Sequence, residues 1–378
     1  MKIHITLVGG QPVPVYLGLK ELQPEKIIYI CSKSSRKEAN TISSHYENIS
    51  HEFIELDPVD ITEIEAKAKS LYELYINDDV SINLSSGTKP WSLLFYICFA
   101  NHKSVDYIYI DQNNYLNNIR TKEKYQIEVN KHIYFSLHGN PLNKYKDFKD
   151  YTEEDENVSR ILEKIRHLDY TTFSKLTNPI DKEKQRTFKN TEGMFSLPNN
   201  SSISWNWNTN TVKIIINKNN EMTEFILSSP NIRSMVFNSG WFEYLVAKHI
   251  SKNPRTRSVW MNCVFNCVSD PLHNDKSKNE IDIIADMGTK VLFVECKTHI
   301  NNPTDIDKFK SAVNNYGGSG SKSLFVTYFP TDKDNSIKEK FSDNYMPNFA
   351  YNYKKPEYIN CNELNSYINK ILDTINKK

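Results

Sequence analysis

The first 111 residues alternate short runs of β-branched and aliphatic residues with longer stretches of helical period. Residues 2–7, 26–31, 51–56, 80–84 and 105–111 have the length and composition of buried strands. Between them, residues 63–76 and 91–101 repeat apolar positions every three or four residues, as helices do. This alternation predicts an α/β unit with a doubly wound parallel sheet. In the common order 3-2-1-4-5, the first and fourth strands are neighbours at the switch point, and ligands bind beyond their carboxyl ends.

Further along, the Asn-rich residues 112–120 and the alternating segment 125–137 either extend that sheet or form a dimer arm. Gly139-Asn140-Pro141 and the charged run 144–157 read as a connection between domains. Residues 156–167 and 171–176 suggest two short helices separated by a turn. A helix-turn-helix is one reading, but Lys175 is the one cation placed to reach a base, so a packed helical connector is preferred. Residues 180–230, with Trp205, Trp207 and strand-like runs at 212–216 and 224–227, begin a second domain as an antiparallel sheet. The expected division is therefore 1–140, a connector with the start of the second domain over 141–228, and 229–378.

A chain of 378 residues exceeds what one core usually organises, and 39% hydrophobic residues exclude global disorder. The most apolar stretch, residues 91–100, has about half the length of a membrane-spanning helix, and no cleavable signal follows Met1. A soluble cytoplasmic protein with no membrane partner is expected. Cysteines 31, 98, 263, 267, 296 and 361 are scattered, so no disulfide framework is expected, and Cys263 and Cys267 lack the second pair of a zinc site. A net charge of +1 gives no nucleic-acid footprint for the whole chain, so any such partner must be argued locally.

Two loops fall at the switch point. Val8-Gly9-Gly10-Gln11-Pro12 follows the first strand, and Ser85-Ser86-Gly87-Thr88-Lys89-Pro90 follows the fourth and leads into a helix. Glycines let a backbone approach a ligand, and free amides at a helix start attract phosphate. Ser85, Ser86 and Thr88 add hydroxyls and Lys89 a charge, while Ser32 and Lys33 extend the same rim. Neither loop has P-loop spacing, and Gly9-Gly10 lacks the third glycine of a dinucleotide fingerprint. The pair resembles the ligand loops of CARF domains, the Rossmann-like sensors of type III CRISPR systems. That resemblance covers roughly residues 1–140 and implies a homodimer binding a cyclic oligoadenylate, most often cyclic tetra-adenylate.

The densest chemistry lies in Glu280-Ile281-Asp282-Ile283-Ile284-Ala285-Asp286 and Val291-Leu292-Phe293-Val294-Glu295-Cys296-Lys297, two strand-like runs about Gly288. A loop over 287–290 sets Asp286 opposite Val291, Ile284 opposite Phe293, and Asp282 opposite Glu295, with Lys297 facing Glu280. Opposed side chains share a face, with Cβ atoms about 5 Å apart. Two carboxylates held that way among apolar neighbours require compensation, which Mg²⁺ or Mn²⁺ supplies well and Lys297 assists. Upstream, residues 240–250 read as a helix with Glu243 on the flank of its apolar face, either reaching the same cation or remaining at the surface. His249 and His299 form no helix-spaced metal pair and read as structural or as supports behind the metal-holding residues.

Asp282, twelve intervening residues, then Glu295-Cys296-Lys297 resembles the core of PD-(D/E)XK nucleases over about residues 230–330, with Glu243 matching their helix glutamate. No proline precedes Asp282; Glu280-Ile281-Asp282 instead resembles the variant in archaeal-type Holliday-junction resolvases. The resemblance implies that Asp282, Glu295 and the Cys296 carbonyl, with Glu243, hold the metal, and that Lys297 orients water or stabilises charge on the phosphate. Lys308, Lys310, Arg255, Arg257, Lys276 and Lys278 are candidate backbone contacts.

Together these readings imply an N-terminal sensor fused to a restriction-endonuclease-like α/β domain, with a dimer that cleaves DNA, and RNA as a second candidate substrate, when a cyclic oligoadenylate binds. The alternatives are an unregulated repair or restriction nuclease, a ligand-responsive transcription regulator, and a sensor that destroys its own messenger.

Overall fold

The computed structural model describes residues 1–374 except 112, 266–279, 319–320 and 332–333. Its first sheet contains β1 (Lys2–Val8), β2 (Lys26–Cys31), β3 (Ser50–Glu55), β4 (Asp79–Asn83), β5 (Val105–Ile110), β6 (Tyr115–Asn118) and β7 (Lys124–Gln126). Their order is β3-β2-β1-β4-β5-β6-β7, the first five parallel and the last two antiparallel additions. The expected switch point between β1 and β4 is present, with Ile5 paired to Ile82 and Thr6 to Asn83.

Helices α1 (Pro12–Leu22), α2 (Arg36–Ser43), α3 (Ile61–Leu74) and α4 (Lys89–Phe99) cover the two faces. Both α3 and α4 begin on side-chain caps. Asp60 accepts from the Thr62 and Glu63 amides, and Thr88 accepts from the Trp91 amide with Pro90 in the first turn. One core, Ile3, Ile5, Leu7, Ile28, Ile30, Trp91, Phe95 and Phe99, lies under α3 and α4.

Segment 125–137 is not extended throughout. After β7 the chain forms α5 (Lys131–Leu137), capped by Asn130, whose side chain accepts from the His132 amide at 2.9 Å. Alternation at Ile127 and Val129 suggested a longer strand, but the cap and the contacts of Tyr134, Phe135 and Leu137 with the core favour a helix.

The charged run expected as a connection contains a strand, β8 (Leu142–Asp147). Its lysines are tolerated because it is a sheet edge with one side solvated. Next comes α6 (Glu153–Thr177), opened by a Thr152–Asp155 capping box and broken at Asp169, whose carboxylate accepts from the Thr172 amide at 3.0 Å. The two helical pieces match the predicted pair. Val158, Leu162, Ile165, Phe173 and Leu176 are buried in the second unit's core, which supports a packed connector over a recognition helix.

After α7 (Lys182–Thr187), strands β9 (Glu192–Ser196), β10 (Ser202–Asn206), β11 (Thr211–Lys218) and β12 (Glu221–Ser228) form the expected antiparallel sheet. The chain continues through α8 (Ile232–Val236), α9 (Gly240–Ser251), β13 (Ser258–Phe265), β14 (Ile281–Asp286), β15 (Val291–Lys297), α10 (Thr304–Gly317), β16 (Ser321–Thr327), α11 (Asn335–Asp343), β17 (Asn348–Ala350) and α12 (Glu357–Asp373). The third sheet runs β17-β16-β15-β14-β13-β8, so the second unit takes its edge strand from just beyond residue 140.

The molecule is thus a Rossmann-like parallel-rich unit joined to a second α/β unit. Among the described residues no helix is long and apolar enough to cross a membrane.

Candidate functional site

At the switch point the two loops touch. The Gly9 amide donates to Ser86 Oγ at 3.0 Å, and a Cβ on Gly9 would stand 2.8 Å from the Gly87 nitrogen. Gly87 has φ +79°, the left-handed region that glycine adopts without strain. Gly10 has open space around its Cα, and Pro12 is buried at the start of α1. Gln11, Lys33 and Lys89 are exposed on the rim. Ser32 is buried and bonded to Ser34 and Ser35, so it braces the rim; Ser35 Oγ carries the tie inward, donating to the Val8 carbonyl at 2.7 Å. Leu84, Ser85, Ser86, Gly87, Thr88, Lys89, Ser92, Leu93 and Tyr96 line a cavity of about 410 Å³.

The acid hairpin has the register read from the sequence: Ile283 pairs with Val294, Ile284 with Phe293, and Asp286 with Val291, about a Gly288 at φ +83°. Ile284 and Phe293 are fully buried. Asp282 Oδ2 accepts from the Cys296 amide at 2.7 Å, beside Glu295. Lys297 does not settle on Glu280; its ammonium lies 2.6 Å from Glu295 Oε1 on its own strand.

Four carboxylates converge electrostatically around that one lysine. Burial, then Asp282, Glu280 and Glu295, push Glu243 well above the usual carboxylate range. Burial also raises Asp282, against Lys297 and the Cys296 amide. Glu295 is pushed up to about 7 by burial and Asp282, and Glu280 is raised by burial and Asp282. For Lys297 burial alone would lower the ammonium, but Asp282 and Glu295 more than offset it and hold it charged. The helix glutamate Glu243, placed by α9, therefore belongs to this group.

Among the described residues, no three His, Cys, Asp or Glu side chains form a ready-made ligand cluster. The donor chemistry nevertheless fits a hard divalent cation: four carboxylates lean on one ammonium, and burial and mutual repulsion raise all four above the usual carboxylate range, the mark of negative charge that one lysine does not compensate. Two clefts open beside the group. One, about 620 Å³, includes Glu243, Asp282, Lys146, Lys189, Arg233 and Asn262; the other, about 300 Å³, includes Glu295, Lys297, Asp305 and Lys308.

Residues 3–137 match the family model of the Card1 CARF domain. The N-terminal unit is a CARF domain. No curated protein sequence matches the chain. Among solved structures, Can2 from Sulfobacillus thermosulfidooxidans in complex with cyclic tetra-adenylate superposes with TM-score 0.68 at 15% identity, covering 99% of this chain and 100% of that one. Protein VC1899 from Vibrio cholerae gives TM-score 0.72 at 15% identity over 97% and 98%. A type III CRISPR defence DNA nuclease activated by cyclic oligoadenylate gives 0.53 at 16% identity, over 86% of this chain and 45% of that one. At these identities the likeness is one of fold.

The CARF domain also uses a residue that sequence reasoning passed over. Asn83, fully buried at the end of β4, accepts from the Ser85 amide and hydroxyl and donates to the Pro14 carbonyl, tying the loop that follows β4 to α1. Its signal was an amide between Ile82 and Leu84 at the end of a strand, VSINL. Several candidate phosphate contacts are engaged elsewhere: Arg255 pairs with Asp373, Arg257 with Glu128, and Lys308 with Asp305. Lys276, Lys278 and Cys267 lie outside the described residues. His249 bonds the Tyr351 hydroxyl at 2.7 Å and His299 stacks on Phe329, in keeping with structural roles.

Proposed function

We propose that this chain is a cyclic-oligoadenylate-activated, metal-dependent nuclease of type III CRISPR defence, with a PD-(D/E)XK-like site in its second unit. The observation that carries the reading is Asp282 and Glu295 immediately beyond the Ile283–Val294 pair of one buried hairpin, with Asp282 bonded to the Cys296 amide, joined in a single chain to a CARF domain. The described neighbours that bind cyclic tetra-adenylate or cut DNA on cyclic-oligoadenylate activation support it by fold.

Asp282, Glu295 and the Cys296 carbonyl, with Glu243 beside them, are the residues that would hold Mg²⁺ or Mn²⁺. When bound, such an ion supplies Lewis-acid polarisation of a phosphodiester oxygen. Lys297, kept cationic by its acidic neighbours, orients the attacking water or stabilises charge on the phosphate. In the sensor, Gly9, Gly10, Gln11 and Pro12 with Ser85, Ser86, Gly87, Thr88 and Lys89 offer amides, hydroxyls and a charge to the phosphates of cyclic tetra-adenylate. Ser32 and Lys33 complete the rim. Leu93, Tyr96 and Ile97 leave an apolar stripe of α4 exposed next to that cavity, which suits a homodimer.

The test incubates the full chain with labelled DNA and RNA, Mg²⁺ or Mn²⁺, and cyclic adenylates of several ring sizes. Cleavage that rises with cyclic tetra-adenylate is the expected result. Equal rates with and without it would indicate an unregulated nuclease, and no cleavage in any combination would overturn the assignment.

A further inference from the structure

The chain leaves the CARF domain through α5, and that helix is tied to the acid hairpin by unusual means. Lys131 is 3% exposed at its side chain, yet its ammonium donates to the Gly288 carbonyl at 2.6 Å and lies 3.4 Å from Asp286. Both partners belong to the turn end of the hairpin. Asp286 also accepts from the Gly288 amide at 2.9 Å, so one carboxylate locks the turn to itself and to α5.

Residues around Lys131 grip the other flank. The Tyr134 hydroxyl donates to the Gly317 carbonyl and Asn140 donates to the Asn315 carbonyl, holding the end of α10, the helix that follows β15. Glu128 pairs with Arg257, just before β13. The Phe135 ring meets Phe265 and Phe293 edge-on.

On its far side α5 packs against α1 and α2. Those helices start directly after the loops at 9–11 and 32–35, and Val13, Tyr16, Ala39 and Ile42 share one core with Tyr134, Phe135, Ile284 and Phe293. No flexible tether separates the ligand loops from the hairpin. A strand pair transmits displacement well: side chains at i and i+4 share a face, so Asp286 lies above Asp282 and Val291 above Glu295.

A buried lysine is a costly way to join two units unless it fixes their register, because an apolar residue would pack with less desolvation. We propose that Lys131 is a positioning residue for the nuclease site, through which α5 passes the state of the CARF ligand loops to Asp282 and Glu295. This rests on the function proposed above.

The test compares wild type, Lys131→Gln and Lys131→Arg in the full chain. Calorimetry reports affinity for cyclic tetra-adenylate, a cleavage assay reports the rate ratio with and without it, and amide hydrogen exchange reports residues 281–297. In Lys131→Gln the affinity stays within about twofold, while the rate ratio falls by at least about fivefold, the lower end of ordinary coupling. Its hairpin exchange no longer responds to ligand, and Lys131→Arg restores part of both signals.

A Lys131→Gln protein that keeps the wild-type ratio and exchange response overturns the proposal. So does a wild-type protein that binds cyclic tetra-adenylate with no change in exchange over 281–297, which needs no variant to fold. A wild type that binds no cyclic adenylate places the failure in the underlying reading and removes the coupling with it.

Discussion

Asp282 reaches across the hairpin to the Cys296 amide, 2.7 Å away, so its carboxylate is aimed beside Glu295 by a backbone donor of the partner strand. An amide in place of either acid keeps the shape and removes the charge. Asp282→Asn and Glu295→Gln are expected to lower the cleavage rate by roughly 10³-fold or more at saturating activator, with activator affinity unchanged. Asp282→Ala would also orphan the Cys296 amide, at about 1–3 kcal/mol of stability, so the isosteric variant is the cleaner probe.

The same carboxylates make a metal prediction independent of catalysis. Manganese at about 100 times its dissociation constant should stabilise the wild type by about 2.7 kcal/mol, and chelator should reverse the shift. Calorimetric melting of Asp282→Asn should show little of this gain, and an equal gain in both proteins would place the ion elsewhere.

Gly9→Ala puts a methyl group against the Gly87 backbone, where neither side is a flexible side chain. A cost of about 1–3 kcal/mol and a loss of cyclic tetra-adenylate affinity are expected. Gly10→Ala, with open space around it, is the matched control and should fold as the wild type does.

The dimer proposal predicts that Leu93→Glu with Ile97→Glu shifts the chain to monomer in sedimentation. These residues are 60% and 55% exposed in the single chain, so the substitutions should cost the monomer's own fold little, and any fall in melting temperature should be the concentration-dependent part that the dimer supplied.

Three histidines set an acid limit. Burial lowers His4 to about 3, His138 to about 4 and His249 to about 3. Their unfolded values lie near 6.5, so below that pH the unfolded chain binds protons that the folded chain refuses. Stability from these groups is complete above about pH 6.5 and falls as pH drops towards 4, by up to about 1.4 kcal/mol per histidine per pH unit. The raised carboxylates of the acid cluster oppose this slope in metal-free protein. The histidine part is therefore read as the difference in melting temperature against pH between wild type and His249→Asn, whose slope should be shallower.

Much of the site was legible because strand chemistry is local. Period-two alternation and one glycine turn determined the hairpin register from Ile283–Val294 to Asp286–Val291, and β-branched runs separated by helical periods located β1 to β5. What escaped depends on distant contacts. Residues 142–147 look like a solvated linker because Lys144 and Lys146 stand among other polar residues, and the strand exists through Trp260 and Met261, more than a hundred residues away. Asn83 and Lys131 escaped for a related reason: a buried polar side chain declares itself through its partners, and neither Pro14 nor Gly288 adjoins it in sequence.

The position of β8 bears on how this molecule can be taken apart. A cut at residue 140, the natural place to separate two cassettes, would strip the second unit of its border strand and leave β13 as a raw template for self-association. Grafting this sensor onto another effector therefore has to carry residues 142–147, or their replacement, across the junction.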